Sequence, residues 1–316
     1  MQFSQYTCIK DFFNATYDII MSNEAQTILP LGGIVTCKED ADKKAGITVR
    51  SETITAMHNE VYADEPGHNT RNLFMATVSD ENGIHLTAIM TPPKEMSLYS
   101  TNNIINQAAI TCLIEGMAQA GISLPGLMAE KQLTEAFSAQ YTARHNLVAT
   151  TTMNQRIYEL TKVNPAIPKA SLRLAQERDM SFLPYWDSAY FHEAIDRPNI
   201  INPNPETYLE IIRANNVYIM EKDGVPVAMA RISRALKTVC YISYAFTPPY
   251  FRKRGYQTAC TAALSQLALD RGFAKVVLFT DLANTTANNI YQKIGYYPIG
   301  DSLQVRYESI ASTQCI

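Results

Sequence analysis

Hydrophobic residues in the second half of the chain follow the patterns of β-strands. Residues 217–220 and 225–232 are predicted to form two strands joined by a hairpin turn at 221–224. A third strand is predicted from about 238 to 246, where Tyr, Ile and Val are frequent. Residues 276–279 are a short continuous apolar run, which is typical of a strand covered on both faces in a parallel sheet.

Two helices are predicted around this last strand. Apolar residues recur at helical spacing from Tyr256 to Ala268, and Gly272 is a C-terminal stop signal. A second helical stripe ends at Gly295, and residues 296–307 suit a closing strand. The apolar residues of that second stripe are Ala287, Ile290, Tyr291 and Ile294. Strand, helix and strand in this order predict a βαβ unit.

The first half repeats part of this order more faintly. A strand at 96–99 is followed by a helix whose apolar face runs from Ile105 to Ala120. A short segment at 122–124 and a second helix containing Leu133, Phe137 and Tyr141 complete the series. The similar order at similar spacing suggests an internal duplication.

A domain boundary is predicted where this pattern fades. Residues 146–153 carry little periodicity and follow a helix that ends near His145. We therefore expect two domains, 1–150 and 151–316, which agrees with a chain of 316 residues.

Composition narrows the class of protein. Hydrophobic residues make up 47% and charged residues 18%, which is enough apolar material for packed cores and excludes a disordered chain. The net charge of -3 argues against a protein that coats nucleic acid. The N-terminus lacks the pattern of a signal peptide, and no apolar stretch approaches the ~20 residues that span a bilayer. We expect a soluble, cytoplasmic protein with no membrane or nucleic-acid partner.

Metal and disulfide chemistry find little support in the sequence. The six cysteines lie far apart without a CxxC pair, so we expect reduced thiols. His192 and Glu193 begin a zinc-like motif, but Asp196 stands where the second His should be, so no metal is predicted. Neither a GxxxxGK[ST] phosphate loop nor a GxSxG elbow occurs.

The most informative segment joins the third strand to the helix that follows it. Pro248 and Pro249 donate no N–H, so the strand must end there and leave its neighbour. Gly255 permits positive φ or close backbone approach, and three cations precede it at 252–254. Unpaired N–H groups at a helix start, together with these cations, are suited to a pyrophosphate. The alternative interpretation is an ordinary turn with solvated basic residues.

Two motifs resemble the signatures of the GCN5-related N-acetyltransferases (GNAT family). Arg-Lys-Arg-Gly-Tyr-Gln at 252–257 is similar to the R/Q-x-x-G-x-G/A loop, with Gln257 in place of the usual small residue. The downstream spacing is similar to N-x-x-A-x-x-L-Y-x-K-x-G-F. Its matching residues are Asn284, Ala287, Ile290, Tyr291, Lys293, Gly295 and Tyr296. The resemblance covers 218–297 and implies two GNAT-like α/β domains in tandem, each with a mixed central sheet flanked by helices.

The resemblance also implies a co-substrate, acetyl-coenzyme A, and a role for each matched residue. Backbone groups of Phe246 and Thr247 would bond the pantetheine arm as an added strand. Asn284 would contact the same arm, and Tyr291 would protonate the departing thiolate. The pyrophosphate would be held mainly by main-chain N–H groups of the loop. Its residues are Arg252, Lys253, Arg254, Gly255, Tyr256 and Gln257.

Each of these roles has an ordinary alternative. Tyr291 lies on an apolar stripe, where most tyrosines pack in the core. Asn284 precedes a helix and could be only its N-cap. No general base is identified, because the third strand offers no acid. Glu193, Asp196 and Glu206 flank the loop at 197–205, and all three stay open as candidates.

The expected reaction is direct transfer of an acetyl group from acetyl-coenzyme A to the amine of a small molecule or peptide. The alternative is a coenzyme A-binding regulatory or scaffolding module without turnover. A transferase that uses charged tRNA would need a basic groove, and the net charge gives it no support. The acceptor and the oligomeric state are left open.

The first half is expected to bind no coenzyme A. Ser100, Thr101, Asn102 and Asn103 stand where its phosphate loop should lie, with no glycine and no cation. Such polar residues can cap the following helix and so occupy the N–H groups that a pyrophosphate needs. One coenzyme A per chain is therefore predicted, near Gly255.

Overall fold

The computed structural model describes residues 1–28, 73–195 and 198–310. Within these residues the chain divides into two compact units. The first unit contains residues 1–28, 73–156 and 300–310, and the second contains 157–195 and 198–299. Two long strands, β6 (Leu147–Leu160) and β12 (Tyr297–Ser309), have residues in both units.

The first unit is a mixed sheet with helices. Its strands follow the order β1-β2-β3-β4-β5-β12, antiparallel except for the parallel pair β4–β5. The strands are β1 (Gln2–Tyr6), β2 (Phe74–Asp80), β3 (Gly83–Met90), β4 (Met96–Ser100) and β5 (Gly126–Glu130). The helices are α1 (Ile9–Ser22), α2 (Glu24–Thr27), α3 (Gln107–Gln119) and α4 (Lys131–His145). Helices α3 and α4 share one apolar core with the sheet, through Leu113, Leu127 and Phe137 among others.

The second unit carries helices on both faces of its sheet. The strand order is β11-β10-β9-β8-β7, with β10–β11 parallel and the other pairs antiparallel. The strands are β7 (Leu172–Leu174), β8 (Val217–Lys222), β9 (Val225–Ala235), β10 (Val239–Phe246) and β11 (Lys275–Asp281). The helices are α5 (Leu183–Ile195), α6 (Pro205–Arg213), α7 (Tyr256–Asp270) and α8 (Thr285–Ile294).

One apolar cluster lies on each face of this sheet. Leu264 of α7 and Ile294 of α8 pack with Ile242 and Leu278 of the sheet. In the second cluster, Leu183 of α5 and the buried residues of α6 pack against β8 and the end of β10. The predicted α/β class, with mixed sheets flanked by helices, is confirmed.

Most elements predicted in the second half are confirmed, with small shifts. The hairpin turn is shorter than predicted, because β8 continues to Lys222 and leaves only Asp223 and Gly224 between the strands. In the first half the strand after α3 lies at 126–130, beyond the short apolar segment at 122–124. Sequence reasoning did not find β1, α1, β2 or β3.

The segment chosen for the domain boundary is not a linker. Residues 147–160 form the long strand β6, whose first half has only exposed and half-buried positions. Its Val and Thr residues favour a strand, but the partly exposed stretch lacks the apolar signal that marks one. The compact units also differ from the predicted division, since residues 302–306 of β12 pair with β5 and so belong to the first unit.

Two further features concern the described residues only. None of their helices is long and apolar enough to cross a membrane. Among the same residues, no three His, Cys, Asp or Glu side chains come together as a metal-binding group.

Candidate active site

The parallel strands β10 and β11 separate after a short pairing. Val239, Cys240 and Tyr241 are in register with residues 275–277 of β11, but β10 continues to Phe246 and β11 to Asp281. Residues 242–246 of β10 therefore have no strand partner on their β11 side within the described chain. An open strand edge of this kind can bond an extended ligand as an added strand.

A β-bulge on the other side of β10 explains the separation. In the ladder with β9, Ser243 is opposite Arg231 and Phe246 is opposite Met229, so β10 has one residue more than β9 between these pairs. Tyr244 lies in the bulge with φ 56°. A bulge bends its strand and increases the local twist, which turns the end of β10 away from β11. Sequence reasoning missed this feature, because Tyr244 carries no turn signal.

Tyr190 of α5 holds the bulge in place. Its ring stacks on the ring of Tyr244 at a centroid distance of 4.7 Å. Its phenolic oxygen accepts a hydrogen bond from the Tyr244 backbone, while burial raises the pKa of Tyr190 above its usual range. The strand end is thus fixed by a side chain from the helix that covers it.

The loop after β10 leaves a run of backbone N–H groups exposed at the start of α7. A 3₁₀ turn at 249–251 follows Pro248, and Lys253 and Gly255 then adopt left-handed φ values of 63° and 78°. Gly255 is the N-cap and brings no side-chain hydrogen bond. The backbone N–H groups of residues 253–258 donate to no acceptor in the described chain. Six such groups form an anion-binding concavity.

The three cations of this loop have different partners. The Arg252 guanidinium donates from Nε to the Thr247 carbonyl at 2.9 Å and from Nη2 to both carboxylate oxygens of Glu193 at 2.7 and 2.8 Å. Arg254 lies over the exposed Tyr250 ring, with 5.5 Å from Cζ to the centroid. Lys253 and Arg254 have no acidic partner among the described residues. They are the cations available to an anion.

The end of β10 is partly occupied by this arginine. Phe246 is buried, and the Arg252 guanidinium lies 5.8 Å from its ring centroid. Because the Thr247 carbonyl already accepts from Arg252, only one of its two lone pairs is open to a ligand. The Gln257 side chain is turned toward Met229 and Thr261, away from solvent.

The comparison with known families decides what this strand, loop and helix are. Residues 174–296 match the model of the acetyltransferase (GNAT) family. That stretch is a GNAT domain.

Solved structures show the same fold over nearly the whole chain. A GNAT-family acetyltransferase from Colwellia psychrerythraea is 10% identical with a TM-score of 0.55, covering 98% of this chain and 100% of its own. A Drosophila protein is 10% identical with a TM-score of 0.61, covering 96% and 98%. A GCN5-related N-acetyltransferase from Sphaerobacter thermophilus is 14% identical with a TM-score of 0.55, covering 96% and 95%. No curated protein matches the chain in sequence.

In the GNAT domain, Tyr291 of α8 is buried but keeps a free hydroxyl. Its side chain is 8% exposed, between the rings of Tyr158 at 6.2 Å and Tyr296 at 5.9 Å. Burial, and to a smaller extent the nearby Tyr241, raises the pKa of Tyr291 well above its usual value. Its hydroxyl makes no hydrogen bond to the described residues. A satisfied core tyrosine would have one.

Asn284 is the N-cap of α8. Its Oδ1 accepts from the backbone N–H of Ala287 at 3.0 Å, and its φ and ψ are non-helical. The capping alternative is therefore what the structure shows, while contact with a ligand stays a prediction.

The acids that flank the α5–α6 loop are mostly engaged. Glu193 forms the bidentate ion pair with Arg252, and Glu206 pairs with Arg213. Asp196 lies outside the described residues. The two described carboxylates are thus tied to arginines, and neither is placed as an open proton acceptor.

Proposed function

We propose that the second unit binds acetyl-coenzyme A and transfers its acetyl group to an amine of a small molecule or peptide. The observation that carries this proposal is the run of six N–H groups at 253–258 that donate to none of the described residues, next to the open edge of β10. The chemistry of these groups also suits a pyrophosphate, which has many acceptor oxygens and no donors. The side chains of Lys253 and Arg254, which belong to the run, add positive charge.

The pantetheine arm would lie along residues 242–246 of β10. Its amide groups match the spacing of a strand backbone, which makes strand addition the natural binding mode. Phe246 and the open lone pair of Thr247 would contribute backbone bonds at one end. Asn284, which follows β11 and caps α8, would contact the arm from the β11 side.

Tyr291 would act as the general acid. Acetyl-coenzyme A supplies a thioester, from which the amine takes the acetyl carbon as the C–N bond forms, the C–S bond breaks and the sulfur leaves as a thiolate. The raised pKa keeps the Tyr291 phenol protonated at neutral pH, and its hydroxyl donates to no acceptor among the described residues. A proton held in this way can be donated to the leaving sulfur. The proton lost by the amine passes to a base that we do not assign.

One experiment separates this function from the silent binding module. The full chain is titrated with coenzyme A in a calorimeter, and thiol release from acetyl-coenzyme A is then measured across a library of amines. Binding together with amine-dependent thiol release supports the transferase. Binding without release for any amine would favour the module, and no binding would contradict both.

A further inference from the structure

We propose that Gln257 is a positioning residue that fixes the phosphate loop against the ends of β9 and β10. The inference rests on the proposed function and names what holds its binding loop in shape. The Gln257 carboxamide uses all of its hydrogen-bonding hydrogens. Nε2 donates to the Met229 carbonyl at 3.3 Å and to Thr261 Oγ1 at 3.1 Å, and Oε1 accepts from Thr247 Oγ1 at 3.0 Å.

The three partners lie on strand β9, just beyond the end of β10 and on helix α7. Met229 of β9 is opposite Phe246, the last pair of the ladder before β10 ends. Thr247 is the first residue beyond β10, and Thr261 lies one turn further along α7. The carboxamide therefore bonds to the backbone of one strand and to the side chain just beyond the other strand's end. It ties both to the first turn of the helix.

This arrangement leaves the N–H groups of the loop open. In the first turn of a helix the N–H groups point out of the N-terminal end, whereas side chains point sideways. The Gln257 side chain bonds sideways to the sheet, so it does not compete with an anion for those donors. The related motif has a small residue here, and a side chain that reaches two strands is a feature of this chain.

Two buried polar residues follow Gln257 on the same face of α7. Gln257, Thr261 and Ser265 are spaced at i, i+4 and i+8, and Thr261 and Ser265 are fully buried. Ser265 Oγ and the Tyr296 hydroxyl are 2.7 Å apart, and the Tyr296 ring contacts that of Tyr291. Buried polar groups in an otherwise apolar face need hydrogen-bond partners at fixed places. The row formed by Gln257, Thr261 and Ser265 therefore favours a single orientation of α7 on the sheet.

The test is Gln257→Met, which keeps the length of the side chain and removes its hydrogen bonds. We expect the affinity for coenzyme A, measured by calorimetry on the full chain, to fall at least about tenfold. The affinity for S-acetylpantetheine, which lacks the pyrophosphate, should change less than about twofold. The matched control is Gln266→Met on the exposed side of the same helix, and it should change neither affinity.

A second variant keeps the proposal testable if Gln257→Met does not fold. Thr261→Val removes one of the three bonds with little change of shape and should give a smaller loss, again only for coenzyme A. Equal losses for both ligands would overturn the inference, because the network would then shape the strand edge rather than the loop. Unchanged coenzyme A affinity in folded variants would also overturn it, while the proposed function would stand. A wild-type chain that binds no coenzyme A would overturn both.

Discussion

Two strand-to-helix junctions, one in each unit, begin alike and end differently. In the first unit β4 pairs in parallel with β5 only at Met96 and Ser97, and in the second β10 pairs with β11 only at 239–241. Both junctions then contain two residues with left-handed φ. These are Asn102 and Asn103 in one unit and Lys253 and Gly255 in the other.

The difference lies at the first residue before each helix. Asn106 caps α3, and its Oδ1 accepts from the Ala109 backbone N–H at 3.1 Å. Gly255 precedes α7 and has no side chain, so the N–H groups behind it stay open. The cap of α3 thus occupies a donor at its helix start, whereas no side chain occupies the donors at the start of α7.

The polar residues at 100–103 do not cap α3 as the sequence suggested. A 3₁₀ turn at 101–103 separates them from the helix, and the cap lies three residues later, at Asn106. Ser100 bonds instead to the Ile104 carbonyl, and Asn103 Nδ2 donates to Gln26 Oε1 at 2.8 Å. Helix α3 is capped as predicted, but by Asn106 and not by residues 100–103.

The helices that follow β5 and β11 extend the comparison. Phe137 is the seventh residue of α4, as Tyr291 is of α8. The nearby Tyr141 has a satisfied hydroxyl, which accepts from the Leu124 backbone N–H at 2.9 Å. Tyr291 is as buried as a core residue, but its hydroxyl has no such partner in the part of the chain that the structure describes. The first unit therefore shows what this position looks like when it serves packing alone.

Tyr291→Phe should give the largest effect, since it puts at this position the residue type that α4 carries. The ring and its packing stay, but the acid is lost, so kcat should fall about 100-fold or more while acetyl-coenzyme A affinity is kept. Steady-state kinetics with an amine found in the thiol-release screen measure it. In the wild type, the raised pKa should prevent any loss of rate from this phenol up to about pH 10. An equally active Phe variant would make Tyr291 a core residue like Phe137.

Gly255→Val should give the next effect. Gly255 has φ 78°, which a β-branched residue adopts only with strain, although a Cβ there would meet no atom of the described chain within 4 Å. The loop must therefore shift, and coenzyme A affinity should fall at least tenfold, or about 1.4 kcal/mol. Calorimetry on the folded variant checks this value. Unchanged affinity would remove the loop from the binding site.

Asn106→Ala should affect stability but not binding. Loss of the cap of α3 should lower the free energy of unfolding by about 1 kcal/mol, measured with a chemical denaturant. Coenzyme A affinity should stay within about twofold of the wild type. A large loss of affinity would mean that the first junction also takes part in binding and that the contrast between the two junctions is wrong.

The sequence predicted the second unit better than the first for physical reasons. The strands of the second unit include continuous apolar runs such as 276–279, and its loop combines Gly255 with three cations. Both are local signals. The bulge at Tyr244 and the bonds of Gln257 depend on residues far apart in the chain, so no local pattern reports them. Thr261 and Ser265 at helical spacing from Gln257 were the one available hint of the buried polar row.

The number of coenzyme A molecules bound per chain tests the central claim most directly. Titration calorimetry of the wild type should give one site per chain, and Gly255→Val should weaken that site while Asn106→Ala leaves it intact. The reason is that, as far as the described residues show, only the second of the two junctions combines open N–H groups with cations that have no acidic partner. Two equivalent sites per chain, or ligand density beside Asn102 in a crystal structure of the complex, would contradict the account.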